Sequence, residues 1–361
     1  MSKKHGANLF ELSKKYNFNI DEILDFSSNI NPFGANSKAV EYVRNHMDIV
    51  SIYPDPEYIN LKNSISLYCN CKREDIMLGN GATSLISNYI KYISPEKSLL
   101  IQPAYSEYEN ELNDVGSQIE RFFLDKNNDF KIDKQEIVNF INGNDIDLLI
   151  ICNPNNPTGT ILSKNEIEYI SKNISANILI DETYIEFSDK EVYSATSLTT
   201  ANSNIFVIRG TSKFFSTPGI RLGYAITSDI EAQKFINSKF HLWDINIVAS
   251  TMGEIMFSDK DYIQDTYAKI STEMTYLKNS LSSFESIKAY PSSGNFILCE
   301  ILDKNFDAVD IYNELIKKGI AIRNCSSFTG LDNTFFRICT LSHSSNELLI
   351  EELGNILNKN E

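Results

Sequence analysis

Short apolar runs alternate along this chain with longer stretches of mixed polarity. Four runs stand out, at Leu99–Pro103, Asp147–Asn153, Asn177–Glu182 and Asn204–Gly210. Each leads into polar, turn-forming residues, and segments of helix length separate them. That pattern predicts buried, mostly parallel strands in an α/β sheet. A different period governs residues 261–289, where Tyr262, Ile263, Tyr267, Ile270, Met274, Leu277 and Leu281 recur at helical spacing. Beyond it, a strand-like run at 295–300, a helical pattern at 307–318 and further runs at 319–323 and 335–340 predict a smaller α+β unit. The opening 35 residues end in D-F-S-S-N-I-N-P-F-G, whose turn signals at Asn31-Pro32 and Gly34 predict an extended arm. The predicted organisation is therefore an arm with part of the small domain (1–35), a large domain (36–250) and a small C-terminal domain (251–361).

Length and composition fit that division. At 361 residues the chain is long enough for two domains. Its 42% hydrophobic and 22% charged residues are ordinary for a globular protein, and 18 tyrosines and 21 phenylalanines provide many rings for packing or ligand stacking. A formal net charge of −15 argues against a nucleic-acid-binding face but leaves room for a local anion site. Of six cysteines only Cys69 and Cys71 are close, a poor zinc signal without a matching second pair, so no metal is expected. No secretory signal and no apolar run of membrane-spanning length is visible, which predicts a reduced, cytoplasmic protein.

Ligands of α/β sheets bind beyond the carboxyl ends of the strands, so the residues following each run carry the candidate chemistry. After 147–152 comes N-P-N-N-P-T-G, a loop set by two prolines and a glycine that presents Asn156. After 177–180 come Asp181, Glu182 and Tyr184. After 204–210 comes T-S-K-F-F-S-T-P-G-I-R, with Lys213 and Arg221. Earlier, M-L-G-N-G-A-T-S-L-I places Gly79, Gly81, Ala82 and Thr83 before a helix-like segment, a turn whose free N–H groups suit a phosphate. An amine, a carboxylate, a phenol, an amide and a phosphate cradle with its own cation form the set that pyridoxal phosphate requires.

With N-N-P-T-G (155–159), D-E-T-Y (181–184) and S-K-F-F-S-T-P-G-I-R-L-G-Y (212–224) in this order and spacing, the chain resembles the fold type I pyridoxal-phosphate enzymes of the class I/II aminotransferase family. Within that family it is most similar to threonine-phosphate decarboxylases and then to histidinol-phosphate aminotransferases, through H-G-A-N (5–8), D-F-S-S-N-I-N-P-F-G (25–34), Y-P-D-P-E-Y (53–58), L-W-D-I-N (242–246) and I-R-N-C-S-S-F-T-G-L-D (322–332). The resemblance implies an aspartate-aminotransferase-like fold: a large domain with a mostly parallel sheet flanked by helices, plus a smaller α+β domain. It implies that Lys213 is the Schiff-base lysine and proton carrier, that Asp181 pairs with the pyridine nitrogen, and that Asn156 and Tyr184 bond the ring oxygen. Tyr105 would stack on the ring, while Gly81, Ala82, Thr83, Ser212 and Arg221 would hold the phosphate. Tyr53 would reach the phosphate of a neighbouring subunit, which implies a homodimer with shared sites. Arg337 would bind the substrate's anionic group, with Arg323, Asn29 and His5 beside it.

Two positions depart from the family pattern. Gly210 stands where a hydroxyl residue is usual, three before the lysine, leaving Thr211 or Ser212 to substitute. Leu341 stands where threonine-phosphate decarboxylases tend to carry a further arginine, so a substrate with both phosphate and carboxylate loses one cation. The expected activity is therefore transamination of a small anionic amino compound, with decarboxylation of an O-phospho amino acid as the alternative. A non-catalytic cofactor-binding module of the kind fused to DNA-binding domains fits less well, because the catalytic set is complete and no basic helix-turn-helix segment accompanies it.

Overall fold

The apolar runs form the centre of a seven-stranded sheet in the computed structural model, which describes residues 7–357. In chain order the strands of the molecule are β1 (Leu24–Asp25), β2 (Ile76–Gly79), β3 (Lys97–Gln102), β4 (Gln118–Phe123), β5 (Leu148–Cys152), β6 (Asn177–Asp181), β7 (Ile205–Gly210) and β8 (Gly223–Ile226). They continue with β9 (Ile287–Ala289), β10 (Phe296–Ile301), β11 (Ile320–Ala321), β12 (Arg323–Asn324) and β13 (Phe335–Cys339). The large sheet has the order β2-β8-β7-β6-β5-β3-β4. Within it, β8 runs antiparallel to both neighbours, and the other pairings are parallel.

Alternation along each strand explains the sheet's two cores. Leu149, Ile151, Ile178, Ile180, Ile205 and Val207 face one side. Leu148, Ile150, Leu179, Phe206 and Ile208 face the other, against the helix Ala82–Ile93. Successive side chains point to opposite faces, so a strand covered on both faces must be apolar throughout.

A second, antiparallel sheet has the order β12-β13-β10-β9 and packs its own core around Leu277, Ile297, Ile338 and Leu353. The helix Lys260–Leu281 joins the cores, with Ile270 in one cluster, Leu277 and Leu281 in another, and Met274 touching both.

Two expectations need correction. The helix predicted over 261–289 ends at Leu281, and residues 287–289 instead form β9 against β10. The serines at 282, 283 and 286 explain the break, because their hydroxyls compete for backbone groups and favour turns over helix interiors. The opening segment is no simple extended arm. Residues Leu9–Tyr16 form a helix capped by Asn8, whose side chain accepts from the Glu11 N–H, and β1 pairs in parallel with β11. Leu12 and Ile23 pack on Ile316 and Ala321, a tertiary contact that an eight-residue helix needs for stability. Among the described residues, no helix is long and apolar enough to cross a membrane.

Candidate active site

Strand order decides what meets at the carboxyl edge. Because β3, β5, β6 and β7 are neighbours, their trailing loops converge on one cavity of about 400 Å³. Gly81, Ala82, Thr83, Tyr105, Asn156, Asp181, Tyr184, Ser212, Lys213, Arg221, Arg323 and Arg337 all line it.

Lys213 follows β7, and its Nζ donates to the Ser28 carbonyl at 2.6 Å. Its side chain opens onto the cavity while the amine sits deep among protein groups. Lost hydration first, and the Arg337 charge second, hold its pKa down to about 8. Asp181, at the end of β6, is 5% exposed. Its Oδ1 accepts from the Thr183 N–H at 2.9 Å and the Thr183 hydroxyl at 2.5 Å, and its Oδ2 accepts from the Tyr108 hydroxyl at 2.7 Å. Burial pushes the carboxyl's pKa up; the bonds from Thr183 and Tyr108 and the charge of Lys213 pull it back. Tyr184 is buried, and burial raises its phenol to about 12 against the opposing charge of Arg337. Its hydroxyl accepts from Asn29 Nδ2 at 3.3 Å.

The helix Ala82–Ile93 opens at the cavity with Gly81 as its N-cap, at φ +87°. A Cβ on Gly81 would come within 2.5 Å of the Arg221 guanidinium, and one on Gly223 within 2.7 Å of the Ala82 nitrogen. Both glycines thus keep backbone N–H groups and a cation close together, as a phosphate requires. Thr211 is committed elsewhere, since its hydroxyl donates to the Leu222 carbonyl at 3.1 Å. Of the two hydroxyls nearest Gly210, Ser212 lines the cavity and Thr211 does not.

At the opposite wall β12 and β13 bring Arg323 and Arg337 into register as cross-strand partners. Arg337 is 4% exposed. Its Nη1 donates to Asn156 Oδ1, its Nη2 donates to the Ser27 carbonyl at 2.5 Å, and its Nε has no partner. Arg323 donates to the Ser327 hydroxyl at 2.9 Å and lies over the Phe328 ring.

Among the described residues, two named positions are not on the cavity wall. Asn29 is fully buried one layer behind Tyr184, with an unpartnered Oδ1. Tyr53 is 73% exposed and stacks on Trp243 at 4.0 Å between ring centroids. His5 lies outside the described residues. Conversely, Ser27, Ser28, Tyr108, Cys152, Thr183 and Phe328 line the cavity without having been singled out. Signals for two of these existed: Thr183 is placed for an Asx-type turn two residues after Asp181, and Tyr108 falls one helical turn after Tyr105.

Behind the site a second arginine is buried. Arg209 of β7 donates from Nε to Glu182 at 2.9 Å and from Nη2 to the Ser194 hydroxyl at 2.7 Å, and its Nη1 lies 3.7 Å from Glu186. This cluster ties the turn bearing Asp181 and Tyr184 to the strand leading to Lys213.

The sequence profile of the family described as aminotransferase class I and II matches residues 21–353. The chain belongs to that family. Class I and II aminotransferases depend on pyridoxal phosphate, and the glycine cradle, Arg221, Asp181 and Lys213 are chemically suited to its phosphate, ring nitrogen and carbonyl carbon. A threonine-phosphate decarboxylase from Salmonella typhimurium is 29% identical over 358 residues, 98% of this chain and 96% of that protein. A histidinol-phosphate aminotransferase from Methanococcus aeolicus is 30% identical over 356 residues, 98% and 95% of the two chains. The crystal structure of the histidinol-phosphate aminotransferase from Clostridium acetobutylicum matches with a TM-score of 0.86 and 34% identity, covering 93% of this chain and 99% of that one. The architecture is that of the fold type I enzymes.

Proposed function

We propose that this enzyme transaminates a small amino compound bearing a second anionic group: a phosphate, a phosphonate or a carboxylate. The observation that carries this reading is Arg337, a buried guanidinium that lines the cavity together with Asn156 and Lys213 and whose Nε has no partner among the described residues. A permanently charged planar fork is suited to a bidentate oxyanion, and Arg323 beside it adds a second cation. Pyridoxal phosphate, when bound, supplies a carbonyl for the substrate amine and an electron sink for the substrate's Cα. Gly81, Ala82, Thr83, Ser212 and Arg221, which line the cavity, would hold its phosphate. Asp181 would pair with its ring nitrogen, Asn156 and Tyr184 with its ring oxygen, and Tyr105 would stack on the ring. Lys213, with a pKa lowered to about 8, is poised to take and return the proton at Cα near neutral pH.

Decarboxylation of an O-phospho amino acid is the second reading, favoured by the Salmonella typhimurium relative's name and by its coverage of 98% of this chain. The two reactions differ in which bond of the substrate's Cα breaks, the one to hydrogen or the one to the carboxylate, and that depends on where the substrate anion docks. Leu341 packs between two apolar clusters and offers no charge there. The test is the ratio of keto product to carbon dioxide with threonine phosphate and with histidinol phosphate, in the native enzyme and in Leu341→Arg. Efficient carbon dioxide release by the native enzyme makes the second reading correct.

A homodimer with shared sites and a cytoplasmic setting complete the proposal. Tyr53 lies among the exposed Val50, Ile52, Leu242 and Trp243, an apolar face suited to a second copy, and the six cysteines are free thiols. Mixing Tyr53→Phe chains with Lys213→Ala chains should restore activity through heterodimers; silence in every freely exchanging mixture defeats the shared site.

A further inference from the structure

Asp181 arrives in the cavity with three of its acceptor directions already occupied. An ionised carboxylate offers about four. Thr183 takes both directions on Oδ1, through its N–H and its hydroxyl, and the Tyr108 hydroxyl takes one on Oδ2. One direction on Oδ2 remains. Thr183 is local, two residues along the chain, and turns the carboxylate about its own backbone. Tyr108 comes from a different element, the helix Ser106–Asp114 that follows β3, and it is 1% exposed. Its ring stands edge-on to Tyr105, at 5.5 Å and 83°. One helix start thus presents Tyr105 to the cavity and, a turn later, aims the Tyr108 hydroxyl at Asp181.

We infer that Tyr108 is a positioning residue for Asp181: its hydroxyl aims the free Oδ2 direction at the ring nitrogen and keeps the proton they share on that nitrogen. The inference rests on the placement of pyridoxal phosphate proposed above. A donor on a carboxylate oxygen stabilises the charged form and makes it a weaker base. In a hydrogen bond between a carboxylate and a pyridine nitrogen, the weaker the carboxylate base, the more fully the nitrogen holds the proton. A protonated ring withdraws electrons better, so the effect falls on the chemical step rather than on substrate binding. Tyr108 can serve only as a donor here. Its phenol is held protonated by burial and by the neighbouring Asp181 charge, which both push its pKa up. Cys152, also on the cavity wall, lies beside the Tyr108 hydroxyl and donates from Sγ to the Pro154 carbonyl at 3.2 Å.

Tyr108→Phe keeps the ring, its packing and its edge contact while removing one O–H. The experiment loads the variant and the native enzyme with pyridoxal phosphate labelled with nitrogen-15 in the ring. The expected result is a nitrogen resonance displaced from the protonated towards the unprotonated position, with kcat lower by about tenfold and KM within about twofold. In an Asp181→Ala background the same substitution should move neither quantity, since the group it acts through is gone. Incorporation of 3-fluorotyrosine at position 108 strengthens the donor without altering the fold, and should displace the resonance the opposite way; this keeps the inference testable if Tyr108→Phe folds poorly. A resonance unmoved by both replacements overturns the role. Borohydride reduction and peptide mapping separate this failure from that of the underlying reading. Label on Lys213 with an unmoved resonance removes Tyr108 alone, and label on another lysine removes the cofactor placement itself.

Discussion

Two buried arginines, Arg209 and Arg337, differ in what surrounds them. Arg209 is 1% exposed and sits between two carboxylates, bonded to Glu182 and facing Glu186. Arg337 is 4% exposed and, among the described residues, has only neutral acceptors, the Asn156 amide and the Ser27 carbonyl, and no carboxylate partner. An isolated buried charge is costly unless it is paired. Arg209 meets that requirement within the fold, so it serves the architecture. Arg337 does not, so its guanidinium remains available to an anion from outside. Burial alone therefore does not separate the two cations; the identity of their partners does.

The largest effect should come from Arg209→Met. It leaves Glu182 and Glu186 buried without their cation, and removing one partner of such a cluster costs about 3–5 kcal/mol. Urea unfolding of the holoenzyme measures this, and an unchanged midpoint would dissolve the contrast between the two arginines.

Arg337→Met should do the reverse. The unfolding midpoint should fall much less, because an unpaired charge leaves with the lost hydrogen bonds. KM for an anionic substrate should rise by about one to two orders of magnitude, the worth of a charge-assisted contact of about 1.5–3 kcal/mol. An unchanged KM moves the anion site elsewhere.

The uncompensated charge of Arg337 should also be felt at Lys213. In the native, cofactor-free enzyme the amine should titrate near pH 8. Removing a nearby positive charge favours the protonated amine, so in Arg337→Met the midpoint should rise. The pH dependence of Lys213 acylation, read by peptide mapping, checks the sign; a lower midpoint contradicts it.

The smallest effect is expected from Arg323→Met. Arg323 is half-buried and, among the described residues, its guanidinium donates only to Ser327, so its charge is partly screened by water. A loss of under about 1 kcal/mol, or less than about fivefold in KM, follows. A loss equal to that of Arg337→Met would mean that both arginines grip the substrate alike.

Much of the candidate site was legible in the chain because its polar groups sit where local pattern is strongest. Asn156, Asp181 and Lys213 each follow a short apolar run, and a run that ends in polar residues marks both a buried strand and the edge where ligands gather. The small-residue turn at Gly81 was legible for the same reason. Local pattern failed where an element depends on distant partners. The helix Leu9–Tyr16 is too short to stand alone and read as an arm, and residues 287–289 read as helix although they pair with β10.

The sequence by itself determined the central strands β3, β5, β6 and β7, the amine, carboxylate, amide and small-residue turn that follow strands, and the family. These are properties of residues close together along the chain, where spacing and side-chain type are enough. The tertiary structure alone decided the pairings: Tyr108 with Asp181 across 73 positions, Asn156 with Arg337 across 181, and Arg209 with Glu182 rather than with solvent. Each depends on β3, β5, β6 and β7 lying side by side and on β13 facing their ends. Strand order is set by the packing of whole sheets and helices, so no stretch of residues encodes it locally.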